Sequence, residues 1–174
     1  LPLVIIAFGL IASLIGILVV RLKDDNADVC KALNVGYYVT IALVLITLFA
    51  STYFILGCTE GFDNWYMFAG TGVVGIILGL AIVYITQHYT GDHGPVKSIA
   101  KSSETGPATN VIQGISIGLE STVLPVICIV ISIITTYLLG YVAAPEGVDQ
   151  ATFGLYGTAI GTIPMLASSA FLLA

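Results

Sequence analysis

The sequence predicts an all-α integral membrane protein with about five transmembrane helices. Hydrophobic residues make up 57% of the 174 residues and charged residues only 9%, whereas soluble globular proteins carry roughly a quarter charged residues. A formal net charge of -5 with only five basic residues excludes a nucleic-acid partner, because neutralising phosphates needs clustered Lys and Arg. The expected partner is therefore the lipid bilayer.

Five apolar segments are long enough to cross a bilayer, which takes about 20 helical residues. The first is LPLVIIAFGLIASLIGILVV, which contains no charged residue and lacks the basic N-terminal region of a signal peptide. A true span is therefore favoured over a cleavable signal peptide. The predicted spans, within a single transmembrane region 1–174, are 1–20, 34–57, 65–89, 112–142 and 151–174.

The basic residues predict the orientation of these spans. Arg21, Lys23 and Lys31 lie between spans one and two, and Lys97 and Lys101 lie between spans three and four. The two remaining connections carry acidic residues and no basic residue. Because cytoplasmic loops are enriched in Lys and Arg, we expect the chain to start outside and to end inside.

Aromatic residues near the span ends are typical of the belts that sit at membrane interfaces. They are Tyr37, Tyr38, Trp65, Tyr66 and Tyr141.

Pairs of glycines four residues apart predict where helices pack closely, because helices in lipid associate through small residues. The pairs are Gly75 and Gly79, Gly114 and Gly118, and Gly157 and Gly161. Span five also carries Thr158, Thr162 and Ser169 and is the most polar of the five. We expect it to be an interior helix, and its pattern fits either tight packing alone or a pore-side role.

The connection after span three predicts a helix, a turn and a capped re-entry into the membrane. Pro95 can open a short helix, PVKSIAKSSE, that places Lys97 and Lys101 on one face. The TGPATN stretch then forms a turn, and Thr109 or Asn110 can cap a helix that begins at Val111. The two lysines are interpreted as a solvated face rather than a phosphate site.

Glu120 is a carboxylate inside an apolar helix, about nine residues or roughly 13 Å beyond Val111. Cation binding and proton relay are the functional alternatives for such a residue. We expect a structural role near the cytoplasmic boundary, with Ser116 and Thr122 as helical neighbours.

Other polar residues are weaker candidates for a functional site. Asp24, Asp25 and Asp28 have a spacing that could hold Mg²⁺, although a solvated loop is the simpler interpretation. His88 and His93 flank the end of span three and could respond to pH, or serve as ordinary interfacial residues.

The segment YITQHYTGDHGPVKSIAKSSETGPATNVIQG, followed later by LYGTAIGTIPML, resembles the membrane-integral inorganic pyrophosphatases, which are ion pumps. The resemblance implies that the five spans are helices seven to eleven of a sixteen-helix fold. That placement implies an extracytoplasmic start, which the basic residues indicate independently. Since the chain starts with Leu1 and stops inside an apolar run, we expect it to be an internal piece of a larger polytopic protein.

The resemblance further implies an enzyme that couples hydrolysis of pyrophosphate, as its Mg²⁺ complex, to transport of H⁺ or Na⁺. K⁺ is a further cofactor that the family suggests. It also implies a homodimer in a cell inner membrane or a vacuole-like organelle membrane. The family's hydrolytic motifs, including Asp-x7-Lys-x-Glu, are absent from this sequence, so no catalytic, cofactor-binding or metal-binding residue is assigned.

The residues retained as candidate pore-side or functional positions are Glu120, Thr158, Thr162 and Ser169. The alternative function is a segment of a non-enzymatic multi-pass transporter or channel.

Overall fold

A computed structural model describes residues 1–19, 29–57, 64–91, 94–145 and 149–173 of the chain. Six residues that the sequence analysis names lie outside the described part of the chain: Arg21, Lys23, Asp24, Asp25, Asp28 and His93.

The described residues are almost entirely helical and contain no strand, which confirms the all-α prediction. Helix α2 passes directly into a π-helical turn, Tyr53–Gly57. The α-helices are α1 (Pro2–Val19), α2 (Val29–Thr52), α3 (Trp65–Thr90), α4 (Gly94–Ser102), α5 (Pro107–Val142) and α6 (Gln150–Leu173).

Four helical stretches among the described residues are long and apolar enough to cross a membrane. They are Pro2–Val19, Leu33–Gly57, Trp65–Ser102 and Pro107–Val142. Helix α6 is not among the four. The fifth predicted segment is thus observed as a helix, and its passage through the membrane stays a prediction.

Helix α5 begins at Pro107, four residues before the predicted start at Val111. Gly106 has φ +135°, a backbone conformation that residues other than glycine rarely adopt. Its carbonyl oxygen accepts a hydrogen bond from the backbone N–H of Asn110 at 3.3 Å. Proline suits the first helical position because its missing N–H would have no intrahelical partner there. Thr109 and Asn110 therefore lie within the first turn, and the prediction that one of them caps the helix is wrong.

Helix α6 begins with a side-chain cap from Asp149. The Asp149 carboxylate accepts hydrogen bonds from the Thr152 hydroxyl at 2.7 Å and from the Ala151 N–H at 3.3 Å. Both bonds lower the pKa of Asp149, and the bond from Thr152 has the larger effect. A charged carboxylate at this position satisfies a free backbone donor and complements the helix dipole.

The chain forms two compact units, one comprising residues 1–79 and 132–174 and the other residues 80–131. In the first unit, α1 packs on α2 and α6, and α2 also packs on α6. A Cβ atom on Gly75 of α3 would collide with the carbonyl oxygen of Gly161. A Cβ atom on Gly140 of α5 would lie 2.9 Å from the Cα atom of Gly157. Helix α6 is therefore in contact with α1, α2, α3 and α5, as its small residues predict.

The second unit contains the end of α3, all of α4 and the first part of α5. A Cβ atom on Gly114 or Gly118 would meet no atom within 4 Å in the described part of the chain. This glycine pair, unlike the other two, therefore makes no close helix contact among the described residues.

Replacing Gly75 with alanine should destabilise the protein by about 1–3 kcal/mol, because the methyl group forces the α3 and α6 backbones apart. The midpoint of thermal unfolding in detergent measures the effect. Gly70→Ala is the matched control on the same helix, since a Cβ atom at Gly70 would meet nothing within 4 Å in the described structure. Equal losses in the two variants would contradict this account of the contact.

Candidate functional site

Glu120 lies beside the end of α3 in the second unit. Its Oε1 atom accepts a hydrogen bond from the Tyr89 hydroxyl at 3.4 Å, and the Glu120 side chain is exposed. Tyr89 is the penultimate residue of α3, which ends at Thr90. The contact therefore places Glu120 level with the end of α3.

The length of α5 fixes where this carboxylate falls along the helix axis. Its 36 residues span roughly 54 Å, against about 30 Å for a hydrocarbon core. Since Glu120 is level with the end of α3, the turns from Pro107 to Glu120 run roughly 20 Å past that end. The predicted depth of about 13 Å is too short because the helix starts at Pro107. We propose from this geometry that Glu120 lies at the edge of the apolar span and not at its centre.

Helix α4 folds back along the first turns of α5. The Gln113 Nε2 atom donates to the Ser98 hydroxyl at 3.0 Å, and the Thr109 hydroxyl donates to the Ser102 carbonyl at 3.0 Å. Lys97 and Lys101 are both exposed and lie one helical turn apart. The predicted helix and turn are confirmed. The re-entry of the chain into the membrane stays a prediction, and a solvated face remains the interpretation of the two lysines.

The hydroxyl groups predicted on α6 each donate a hydrogen bond within their own helix. Thr158 donates to the Leu155 carbonyl at 2.7 Å, Thr162 to the Ala159 carbonyl at 3.0 Å, and Ser169 to the Leu166 carbonyl at 2.9 Å. Thr162 is exposed, whereas Thr158 and Ser169 are half-buried. Their oxygen atoms retain accepting capacity.

Beyond the first turn of α6, its exposed positions among the described residues form one stripe, which we call the open stripe. Its members recur every three or four residues and so lie on one side of the helix. Leu155 is 65% exposed and Leu166 is 59% exposed. The open stripe consists of Leu155, Ala159, Thr162 and Leu166.

Sequence reasoning missed a pair of buried polar side chains on α2 and α6. Tyr37, which was expected in an aromatic belt, is only 3% exposed, and its hydroxyl oxygen and Ser168 Oγ both lie within 4 Å of where a Cβ atom on Gly79 would stand. The neighbouring Tyr38 is 63% exposed, as expected for a belt residue. Tyr37 lies one helical turn before Thr40, and the structure places both residues on the buried face of α2.

The described residues do not form a metal site, since no group of three His, Cys, Asp or Glu side chains comes together among them. The acidic residues that the structure describes are Glu104, Glu120 and Asp149. His88 is exposed and makes an edge-to-face ring contact with Tyr89, with the ring centroids 5.6 Å apart.

A family model described as inorganic H⁺ pyrophosphatase matches residues 1–174. The chain belongs to this family. It is also a multi-pass membrane protein, since four of its helical stretches are long and apolar enough to span a bilayer.

Several relatives support the same assignment. One from Moorella thermoacetica, named K(+)-insensitive pyrophosphate-energized proton pump 2, is 46% identical over 99% of this chain and 24% of its own length. One from Mycoplana dimorpha, named pyrophosphate-energized proton pump 2, is 39% identical over 99% of this chain and 80% of its own length. One from Bacteroides thetaiotaomicron, named as a candidate K(+)-stimulated pyrophosphate-energized sodium pump, is 37% identical over 99% of this chain and 23% of its own length. The chain thus spans about a quarter of the length of most of the relatives it matches.

A cysteine placed at Glu120 should react with a membrane-impermeant thiol reagent from the same side as a cysteine at Lys101, because Glu120 lies at the membrane edge. The measurement is labelling of oriented membrane vesicles after the three native cysteines have been replaced. Leu138→Cys, in the apolar part of α5, is the control and should stay unlabelled. Protection of the Glu120 position from both sides would show that it lies inside the hydrocarbon core.

Proposed function

We propose that this chain is part of a pyrophosphate-energised ion pump, which couples hydrolysis of inorganic pyrophosphate to translocation of H⁺ or Na⁺ across a membrane. The observation that carries the proposal is the family match over residues 1–174. The names of the relatives, which include proton pumps and a candidate sodium pump, favour the same activity. No described feature favours a non-enzymatic transporter or channel.

Within such a pump, this chain would supply membrane scaffold and one pore-side helix. Helix α6 is packed on most of its circumference by its neighbours in the first unit, and the open stripe is its exposed side. The open stripe includes the hydroxyl group of Thr162, and hydroxyl groups in membrane helices often lie at contacts with other helices. We propose that the open stripe, with Thr158 and Ser169 at its edges, faces the ion path. By resemblance, the spans would be helices seven to eleven of a sixteen-helix protein.

The hydrolytic centre is proposed to lie in the remainder of the longer protein. Pyrophosphate carries several negative charges, and its cleavage needs metal ions held by clustered carboxylates. The described acidic residues do not fit such a site, because no three of these side chains converge. Mg²⁺ is proposed as a cofactor of that remainder, where it would neutralise the leaving phosphate and activate water. K⁺ is a further proposal, since relatives are named as K(+)-insensitive or K(+)-stimulated.

Assembly and location are proposed on family grounds. The longer protein would act as a homodimer, embedded in a cell inner membrane or a vacuole-like organelle membrane.

The test uses inverted membrane vesicles that contain the full-length protein with this chain. Adding pyrophosphate with Mg²⁺ should release inorganic phosphate and drive ion uptake, which a fluorescent pH probe or ²²Na⁺ detects. A protonophore is the control that separates primary H⁺ transport from secondary movement. Ion movement that ignores pyrophosphate, with no phosphate release, would favour a transporter or channel and overturn the proposal.

Replacing Glu120 with glutamine should leave hydrolysis and transport within about fivefold of the wild-type rates, because an exposed pair contributes little energy. Glu104→Gln, which removes the same charge from another exposed position in the second unit, is the matched control. Both rates are measured in the same vesicles. Loss of transport with normal hydrolysis in Glu120→Gln alone would show that this carboxylate takes part in ion movement.

A further inference from the structure

Helix α4 has two distinct sides. Val96, Ile99 and Ser102 are half-buried, whereas Lys97 and Lys101 are exposed. Residues four apart share one face of a helix, and successive residues turn by about 100°, so the two lysines lie on the other side of α4 from Val96 and Ile99. The helix therefore turns apolar residues inward and two positive charges outward.

Hydrogen bonds hold α4 beside the first turns of α5. The Gln113 Nε2 atom donates to the Ser98 hydroxyl, and the Thr109 hydroxyl donates to the Ser102 carbonyl, both at 3.0 Å. The two bonds are one helical turn apart on each helix, so the two helices form an antiparallel hairpin. The lysines are thus carried on a fixed helical support.

The same bonds set the distance of the lysines from the end of α3. Ser98, next to Lys97, is bonded to Gln113, which precedes Glu120 by seven residues. Lys97 therefore lies roughly 10 Å beyond the level of Glu120, and Lys101 lies about one turn further out. Lipid headgroups occupy about 5–8 Å on each side of the hydrocarbon core, and the long lysine stem lets its ammonium group reach back to them. With Glu120 at the edge of the apolar span, the phosphate layer is within reach.

The charges around α4 favour an anionic surface as the partner. Glu104 lies beyond the end of α4, at the tip of the hairpin furthest from the span, and Glu120 accepts a hydrogen bond from Tyr89. Lysines clustered next to a membrane span are attracted to anionic lipids. An exposed pair of lysines suits many headgroups better than one soluble anion, whose binding takes several converging donors.

We propose that Lys97 and Lys101 form a contact surface for the phosphate groups of anionic lipids, at the membrane face where α3 ends. The contact attaches the hairpin of α4 and α5 to the bilayer surface. It extends the interpretation of the two lysines as a solvated face. It rests on the proposed position of Glu120 and goes beyond the proposed pump activity, on which it does not depend.

The test uses the full-length protein in lipid nanodiscs, with a fluorescent probe attached to Ala100→Cys after the native cysteines have been replaced. Ala100 is exposed and lies on α4 next to Lys101. The quencher is phosphatidylglycerol or phosphatidylcholine that carries a nitroxide close to its headgroup. At low ionic strength and equal lipid content, the anionic lipid should quench at least about threefold more strongly. This preference should shrink as salt is added.

The variant Lys97→Gln with Lys101→Gln should lose the preference, because it removes both charges from exposed positions. Lys97→Arg with Lys101→Arg keeps the charges and should keep the preference. Glu104→Gln is the matched control, since it changes another exposed charge of the hairpin in the opposite direction and should not lower the preference.

Three results would overturn the inference. The first is equal quenching by both lipids in the wild-type protein, and the second is a preference that the double glutamine variant retains. The third is a preference that sodium phosphate suppresses more than sodium chloride does at the same ionic strength, which would assign the lysines to a soluble anion. The measurement needs no pyrophosphate hydrolysis, so a wild-type protein without that activity would refute only the proposed function.

Discussion

The close approach of helix backbones at α6 is the constraint on which the first unit depends. In lipid, apolar surface gains little from leaving the solvent, so helices are held by contact and by polar bonds. Gly75 and Gly161, with Gly140 and Gly157, let the α3 and α5 backbones come within a distance that any side chain would prevent. Helix α6 can be surrounded by neighbours because its own residues are small.

The same constraint explains how the hydroxyl groups are accommodated. An unpaired hydroxyl in hydrocarbon is costly, and most of those described donate to carbonyl groups of their own helix. Thr40 donates to Gly36, Thr71 to Phe68 and Thr136 to Ser132, at 2.8–3.0 Å. Such bonds satisfy a side chain without joining helices.

The second unit contains helical turns that we propose to lie beyond the apolar span. The turns of α5 that precede Glu120 are long, and hydrogen bonds from Gln113 and Thr109 attach them to α4. A carboxylate at Glu120 is compatible with the position that we propose for it, at the end of the apolar span. Charge at that level costs far less than charge at the bilayer centre.

The sequence by itself determined that the chain is helical, which segments are apolar enough to span, and that the TGPATN stretch interrupts a helix. Those features follow from composition and local backbone preference. Only the tertiary structure decided that Gly75 meets a backbone while Gly114 does not, and that Tyr37 is buried while Tyr38 is exposed. Identical small-residue spacings and adjacent tyrosines look alike in sequence, because their surroundings depend on helices distant along the chain. The start of α5 at Pro107 was not predicted, for a local reason. Thr109 and Asn110 are residue types that often cap helices, but the backbone turns at Gly106, and the helix begins directly after it.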